Sequence, residues 1–236
     1  MRILVACEES QRVCIAFRKL GHEAFSCDIL PCSGGHPEWH IKDDVLKHLD
    51  DGWDLMIAHP PCTYMSKAGA RFMYPKAGIV NRERLDLAND AKDFFMKLLN
   101  ANIAYIAVEN PTPLKIVGLP KESQVIQPYQ YGEKYSKRTL LWLKGLPELK
   151  STKIVEDFVP YLPSNTGGFS RGKGGSRGIA HNALDASKTF QGIADAMANQ
   201  WSEFIIKQKE VTGCSVEGND GIPSKTKVLG ILPNEL

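Results

Sequence analysis

The chain has 236 residues, 43% of them hydrophobic and 24% charged, with a formal net charge of +2 at pH 7. This is the composition of an ordinary globular chain with one full hydrophobic core, and the charge alone neither supports nor excludes a nucleic-acid partner. No stretch approaches the ~18 apolar residues of a membrane span, and the start MRILVACEES becomes acidic too early for a signal peptide. With six cysteines and no CxxC pair, we expect a cytoplasmic protein with reduced thiols.

Strand-like and helix-like segments alternate along the first half of the chain. Short apolar runs predict four buried strands: Arg2–Ala6, Glu23–Ile29, Trp53–Ala58 and Ile103–Val108. Apolar residues at helical spacing predict helices at Glu9–Leu20, Val45–Leu49 and Arg84–Leu99. This alternation predicts an α/β fold with a doubly wound, mostly parallel sheet, in which ligands bind at the carboxyl ends of the strands.

The second half of the chain is less regular. Thr139–Leu143 is predicted as a further strand and Ile193–Ile206 as a long amphipathic helix. We therefore expect one main domain over residues 1–206, interrupted at 149–186 by a short insertion rich in glycine, serine and basic residues. Residues 207–236 are polar and rich in turn-forming residues, which predicts a tail on the surface.

Three of the predicted strands end at residues that can carry chemistry. Asp28 ends the second strand, His59-Pro60-Pro61-Cys62 follows the third, and Glu109-Asn110 follows the fourth. Taken separately, the prolines can simply terminate a strand, Cys62 can be a buried apolar residue and Glu109 an ordinary loop carboxylate. Their joint position at neighbouring strand ends of one sheet favours a functional site.

These residues resemble the motifs of a known family. Pro60-Pro61-Cys62 resembles the catalytic Pro-Cys loop of cytosine-5 DNA methyltransferases, and Glu109-Asn110 resembles that family's Glu-Asn pair. Tyr131-Gly132 followed by Lys137-Arg138-Thr139 is similar to the basic motif before a late strand, although the family usually has Arg-x-Arg there. The resemblance covers roughly residues 1–205 and implies a Rossmann-like methyltransferase fold.

The resemblance also implies a mechanism. Carbon 5 of cytosine is a poor nucleophile, so a thiolate first adds to carbon 6, and a carboxyl group near nitrogen 3 offsets the charge that develops. The implied catalytic residues are Cys62 as the nucleophile, Glu109 as the carboxyl group, and Lys137 and Arg138 as the basic residues. The substrate is implied to be cytosine in DNA, held outside the base stack.

The implied methyl donor is S-adenosylmethionine. Its predicted binding residues are Glu8 or Ser10 for the methionine amino group, Asp28 for the ribose, Asp44 for the adenine, and Pro60. Asp43 is a rival to Asp44, and both can equally be helix caps. The family usually opens with Phe-x-Gly-x-Gly, whereas this chain has no glycine in Ala6-Cys7-Glu8-Glu9-Ser10.

The recognition region departs most from the family, whose members usually insert a sizeable domain. The insertion of this chain offers Arg171, Lys173 and Arg177 among glycines, a pattern suited to contacts with phosphates. It predicts relaxed or very short sequence specificity on duplex or single-stranded DNA, or help from a partner. Such a compact enzyme suits a phage or mobile element.

Two other functions stay open at this point. His59-Pro60-Pro61-Cys62 also occupies the place of the Asp-Pro-Pro-Tyr-like loop of enzymes that methylate exocyclic nitrogens and need no cysteine. The glycine-free cofactor loop would also fit a protein of this fold that binds nucleic acid or nucleotide without turnover. No metal site is predicted, because the spacing of Cys27, Cys32, His36 and His40 fits no standard zinc finger.

Overall fold

The structure is a computed structural model, and it describes residues 1–161 and 187–214. Its strands are β1 Arg2–Ala6, β2 Glu23–Asp28, β3 His40–Lys42, β4 Leu55–Ala58, β5 Tyr105–Asn110, β6 Gln124–Ile126, β7 Tyr135–Ser136, β8 Thr139–Lys144 and β9 Val159–Pro160. Its α-helices are α1 Arg12–Lys19, α2 Ala70–Met73, α3 Arg82–Leu99 and α4 Gln191–Cys214. Single 3₁₀ turns occur at Pro37–Trp39, Val45–Lys47, Lys67–Gly69, Lys115–Val117 and Pro128–Gln130.

The main sheet has seven strands in the order β3-β2-β1-β4-β5-β8-β6. The first five pair in parallel, while β8 runs antiparallel to both β5 and β6. This order is that of a Rossmann-like sheet with one antiparallel strand inserted near its edge. The predicted fold class, a doubly wound and mostly parallel α/β sheet, is confirmed.

Helices cover both faces of the sheet. Along β1, Ile3 and Val5 pack toward α1 and α4, and Leu4 packs toward α3, because successive side chains of a strand point to opposite faces. On the α3 side, the rings of Phe95 and Trp142 meet edge to face with centroids 5.0 Å apart. Both rings are buried, so truncating Phe95 to alanine would destabilise the fold by about 3–5 kcal/mol.

The start of the first helix differs from the sequence prediction. α1 begins at Arg12, not at Glu9, and Gln11 has a left-handed backbone with φ 57° that no α-helix can contain. The Glu8 carboxylate lies just before this point and accepts hydrogen bonds from the amides of Val13 (2.7 Å) and Cys14 (3.2 Å). Residues 8–11 therefore cap the helix and are not part of it.

The last helix also differs, because α4 continues to Cys214 and does not end at Ile206. Lys207 forms an ion pair with Glu203 one turn earlier, and Lys209 forms one with Asp54 beside β4. These contacts support the helix across the first part of the predicted tail. The rest of that tail, and residues 162–186 of the insertion predicted at 149–186, lie outside the described residues.

Three further features were not expected. The three-residue strands β3 and β6 are too short for an alternating pattern to reveal them, and the predicted helix at Val45–Leu49 is a single 3₁₀ turn.

Within residues 1–161 and 187–214, none of the helices combines the length and apolar character that crossing a membrane requires.

Candidate active site

Cys62 and Glu109 are brought to the same edge of the sheet by neighbouring parallel strands. Ala58 at the end of β4 pairs with Val108 in β5, so the loop after β4 lies beside Glu109. The loops after the two strands are tied together by backbone hydrogen bonds from Lys67 to the Thr112 carbonyl (2.9 Å) and from Leu114 to the Met65 carbonyl (2.7 Å). The sequence prediction that these strand ends converge is correct at the level of the backbone.

The Pro-Pro-Cys loop is fixed at both ends. The buried Pro60 presents its carbonyl to Nδ2 of Asn110 at 3.0 Å. The Cys62 carbonyl accepts the amides of Met65 (3.1 Å) and Ser66 (2.9 Å), which turns the chain directly after the cysteine. Cys62 itself is partly exposed, as a nucleophile must be.

A contact that the sequence did not predict lies beside Cys62. Nδ1 of His59 and Oε2 of Glu109 are 2.9 Å apart, with the two side chains only 12% and 11% exposed. Burial acts against the charge of both groups, but the hydrogen bond and the mutual attraction prevail, so the pKa of His59 is raised and that of Glu109 is lowered. The pair therefore favours a protonated imidazole and an ionised carboxylate.

The Cys62 thiol is held protonated. Burial is the main cause of its raised pKa, and the negative charge of Glu109 adds to it. The charge of Lys137 and a hydrogen bond with the side chain of Ser66 act in the opposite direction without overcoming it. A nucleophilic Cys62 would therefore need a group that removes its proton.

Lys137 and Thr189 reach the same site from distant parts of the chain. The charge of Lys137 and a hydrogen bond from Thr189 both help to lower the pKa of Glu109, although burial opposes them. Lys137 can reach this point because β8 runs antiparallel and starts beside the end of β5, with Leu140 opposite Asn110. Thr189 belongs to the segment before α4, and no spacing rule links it to Glu109.

Arg138, the other predicted basic residue, is placed differently. Its Nη2 is 3.7 Å from Oε1 of Glu122, and 53% of its side chain is exposed. Thr139, two residues after Lys137, is buried and donates its hydroxyl to the Lys137 carbonyl at 3.1 Å. Among the described contacts, only Lys137 of this basic motif acts on the group around Cys62.

Several polar atoms without hydrogen-bond partners belong to this edge and its rim. Among the described residues, five buried side-chain atoms make no hydrogen bond: Nε2 of His59, Oδ1 of Asn110 and Nε of Arg84 here, and Nε2 of His48 and Oε1 of Gln127 in other loops. Leaving such an atom unpaired costs about 1–3 kcal/mol, so a folded chain rarely keeps several of them together without a functional reason. The three that lie here mark this edge as the candidate active site.

At the predicted cofactor edge, several side chains are already used by the backbone. Both oxygens of the buried Glu8 cap α1, as described above. Oδ1 of Asp28 accepts the Leu30 amide at 2.9 Å, and Oδ1 of Asp44 accepts the Leu46 amide at 3.0 Å. The helix-cap alternative for Asp44 is therefore present in the structure.

Two acidic side chains at the predicted cofactor edge, Asp28 and Asp44, lie near Cys7. The pKa of Cys7, directly after β1, is raised by burial first and then by the charges of Asp28 and Asp44 among others. The Asp43 carboxylate accepts a hydrogen bond from Nζ of Lys47, and this bond is the main cause that lowers its pKa to about 2. Of the two rivals, Asp44 thus keeps the freer carboxylate.

The loop after β1 achieves a tight turn without glycine. Cys7 has a left-handed backbone with φ 57°, a conformation that glycine adopts at no steric cost. The loop after β2 packs onto it: the Ser33 amide donates to the Glu9 carbonyl at 2.8 Å, and a Cβ on Gly34 would lie 2.7 Å from the Ser10 carbonyl oxygen. Ser10 therefore lies where the loop after β1 meets the loop after β2.

A basic and aromatic surface borders Cys62. The guanidinium of Arg84 lies 5.1 Å from the ring centroids of both Tyr64 and Phe72 and donates to the Thr63 carbonyl at 2.8 Å. The guanidinium of Arg71 lies 4.6 Å from the Phe72 ring, which is half exposed. Lys67 and Lys76 are also exposed here, and residues 63–82 contain no acidic residue. We call residues 63–84 the basic-aromatic rim.

The remaining predicted residues can be placed briefly. Arg171, Lys173 and Arg177 lie outside the described residues. Within the described part of the chain, no three His, Cys, Asp or Glu side chains gather into a possible metal site. Of the four residues considered for zinc, His40 is engaged with the Ser26 hydroxyl (2.8 Å) and the Leu30 carbonyl (2.9 Å).

Comparisons with known proteins found no matching family model and no curated protein with a matching sequence. One similar solved structure is assigned as a DNA modification methyltransferase encoded within an E. coli prophage, with TM-score 0.37 and 12% identity over 61% of this chain and 46% of that one. A mutant of Spodoptera frugiperda DNMT2 gives TM-score 0.36 and 14% identity over 70% and 56%. The Entamoeba histolytica methyltransferase EhMeth gives 0.42 and 12% over 66% and 57%.

The chain thus spans about half the length of these three structures. All three TM-scores are below 0.5, so the similarities carry no argument about function. The fold assignment rests on the strand order, and the functional assignment rests on the site.

Proposed function

We propose that this protein is an S-adenosylmethionine-dependent DNA methyltransferase that methylates carbon 5 of cytosine through a covalent Cys62 intermediate. The observation that carries the proposal is the placement of Cys62 and Glu109 at the ends of adjacent parallel strands, close enough for the charge of Glu109 to raise the pKa of the thiol, although burial is the larger cause. A cysteine beside a buried carboxyl group is the pair that addition to a cytosine ring requires.

In this mechanism the Cys62 sulfur forms a bond to carbon 6 of the cytosine. As the thiol gives up its proton, the electron pair of the ring shifts toward nitrogen 3, which takes up a proton from the carboxyl group of Glu109. Lys137 supplies a positive charge near this carboxyl group. S-adenosylmethionine, when bound, supplies the electrophilic methyl group that carbon 5 takes up. The carbon 5 proton then passes to water and nitrogen 3 returns the proton it gained, while cleavage of the bond between sulfur and carbon 6 releases the product and restores the cysteine.

The residues at the cofactor edge fit S-adenosylmethionine. Oδ2 of Asp28 makes no hydrogen bond or ion pair within the described residues and is available to the ribose hydroxyls. Asp44 lies near Asp28 around Cys7 and is proposed to meet the adenine amino group. Ser10 and Pro60 are proposed to line the methionine end, and any contact with Glu8 would have to share oxygens that already cap α1.

DNA is the proposed substrate because the rim beside Cys62 combines exposed cations with aromatic rings. Phosphates are met by lysine and arginine, and unstacked bases by aromatic faces. Lys67, Arg71 and Lys76 supply the cations of the rim. Arg171, Lys173 and Arg177 are proposed as a second set of phosphate contacts. A prophage or phage setting and a cytoplasmic location are part of the proposal.

The test is a covalent trapping experiment. DNA containing 5-fluorocytosine, duplex or single-stranded, is incubated with the protein and S-adenosylmethionine, and the product is analysed on a denaturing gel and by mass spectrometry. Fluorine cannot leave carbon 5 as a cation, so the adduct persists. Cys62→Ser should abolish it, because a serine hydroxyl is far less nucleophilic at neutral pH. Cys32→Ser, which changes another partly buried cysteine, is the matched control and should leave it intact.

Mass spectrometry of nucleosides, after expression in a host without DNA methylation, identifies the methylated atom. We expect 5-methylcytosine. Methyl transfer without an adduct, with normal turnover by Cys62→Ser and the methyl group on an exocyclic nitrogen, would overturn the mechanism. It would favour the amino-methyltransferase function. Failure to bind S-adenosylmethionine in a calorimetric titration would favour a protein without turnover.

A further inference from the structure

His59 is a largely buried titratable residue at the candidate active site that the proposed mechanism leaves unused. Its ring is held between the loop after β1 and the end of β5. Nδ1 contacts Glu109 at 2.9 Å, and Nε2 has no hydrogen-bond partner among the described residues. A histidine kept only for packing would satisfy both ring nitrogens. Its arrangement therefore points to a task connected with Glu109.

The charged groups around the pair come from three elements. Glu8, in the loop after β1, is close enough for its charge to raise the pKa of His59, against the effect of burial. Lys137, before β8, acts on both members of the pair, and Thr189, before α4, hydrogen-bonds to Glu109. Cys62 follows the neighbouring strand β4, near enough for the charge of Glu109 to act on its thiol, and it carries the proton that addition to cytosine must remove.

The resting site thus combines a protonated thiol with an ionised carboxylate. Addition to cytosine requires two proton changes: the Cys62 thiol must lose a proton, and nitrogen 3 of the cytosine must gain one. A single proton transfer route satisfies both requirements, because an ionised carboxylate can accept the proton of the thiol and then donate it to nitrogen 3. No further acid or base is then needed.

We propose that the proton Glu109 delivers to nitrogen 3 comes from the Cys62 thiol, and that His59 is the positioning residue that orients this carboxylate and keeps it charged. The inference rests on the proposed function. The S–H bond breaks as the proton passes to Oε1 of Glu109, and the sulfur forms its bond to carbon 6. The proton then passes from Oε1 to nitrogen 3, which receives the electron pair of the ring. Nδ1–H of His59 stays on Oε2 throughout, so Glu109 ends ionised as it began.

This route predicts a distinctive pH dependence for adduct formation. Because the proton arrives with the thiol, no thiolate has to form beforehand. At saturating DNA and cofactor, the single-turnover rate of the wild-type protein should be flat between about pH 6 and 8. In Glu109→Gln the carrier is gone, so the slower residual rate should rise about tenfold per pH unit, as the thiolate fraction does. Without DNA, iodoacetamide should alkylate Cys62 faster in Glu109→Gln than in the wild-type protein. The reason is that the variant lacks the carboxylate charge that, besides burial, raises the pKa of the thiol.

His59→Asn tests the positioning role. Asparagine keeps a donor near the position of Nδ1 but cannot carry charge, so the pKa of Glu109 should no longer be held down. The acid limb of the pH profile should move up by about one to two pH units. Thr189→Val removes only a neutral hydrogen bond to Glu109 and should move the limb less. His22→Asn, at a partly buried histidine bonded to Ser202, is the matched control and should not move it.

The outcomes separate the two proposals. If the wild-type protein forms neither adduct nor 5-methylcytosine, the proposed function fails. If it forms the adduct with a rate that rises tenfold per pH unit, the function stands and the proton carrier is wrong. If the wild-type profile is flat but His59→Asn leaves the acid limb in place, Glu109 keeps its role and His59 loses the one proposed here. Should His59→Asn not fold, by circular dichroism, the wild-type slope still decides the central point.

Discussion

The two candidate functional edges of this sheet use their polar residues differently. At the ends of β4 and β5, side chains meet partners far away in sequence, such as His59 with Glu109 and Asn110 with Pro60. At the ends of β1 and β2, polar side chains mostly bind backbone amides a few residues away, as Asp28 does with Leu30.

This difference shows when a polar residue at a strand end indicates a ligand site. A carboxylate beside a turn is often satisfied locally, so its position at a strand end says little about ligands. A carboxylate whose partners come from other strands is held for a reason that local structure does not explain. The edge of β4 and β5 is thus the stronger part of the assignment, and the edge of β1 and β2 the weaker one.

The largest expected effect comes from a substitution at the edge formed by the ends of β4 and β5. Glu109→Gln should slow adduct formation on 5-fluorocytosine DNA by about 10²–10³-fold, since glutamine cannot deliver a proton to nitrogen 3 as charge develops there. Circular dichroism controls for the fold. A rate within threefold of the wild type would remove Glu109 from the chemistry and erase the contrast between the edges.

At the weaker edge, Asp28→Ala should reduce the affinity for S-adenosylmethionine by about 1.5–3 kcal/mol, the value of one hydrogen bond to a charged group. Isothermal titration calorimetry measures it. Asp43→Ala is the control, because that carboxylate is engaged with Lys47 and should not contribute. Equal losses in the two variants would show that the ribose site is placed wrongly.

Glu8→Ala should mainly affect folding. It leaves the buried amides of Val13 and Cys14 without acceptors, which costs about 1–3 kcal/mol of unfolding free energy in urea. Glu8→Gln keeps one acceptor oxygen and should recover part of that loss. Unchanged stability together with lost cofactor binding would instead assign Glu8 to the cofactor site.

The basic-aromatic rim predicts salt-dependent DNA binding. Replacing Lys67, Arg71 and Lys76 by alanine should reduce the slope of log K against log salt by about 2–3 on duplex DNA, if each meets one phosphate. Fluorescence anisotropy at several salt concentrations gives the slope. The same triple replacement at Arg171, Lys173 and Arg177 is predicted to have a similar effect. Whichever set leaves the slope unaltered does not contact DNA.

The smallest effect is expected from Arg138→Ala. An exposed ion pair such as the one with Glu122 is worth about 0–1 kcal/mol, so stability should hardly change. Adduct formation should stay near the wild-type rate, while Lys137→Ala should reduce it. A strong loss in Arg138→Ala would return this residue to the catalytic set that the sequence predicted.

Several features of the protein could be predicted from local patterns alone. Buried strands are short apolar runs, and α3 has apolar residues at helical spacing over several turns, so both are visible in the sequence. The positions of Cys62 and Glu109 follow from the same patterns, because parallel strands must end at one edge. Their convergence needed no more than the order of strands and helices.

The tertiary structure decided the rest. The antiparallel β8 brings Lys137 to Glu109 and leaves Arg138 on the surface, and no pattern in the chain reveals the direction of that strand. The pairing of His59 with Glu109 and the arrival of Thr189 depend on how loops from three parts of the chain fold over one edge. Local periodicity reports which residues share an element, whereas contacts between distant side chains arise only when the elements pack.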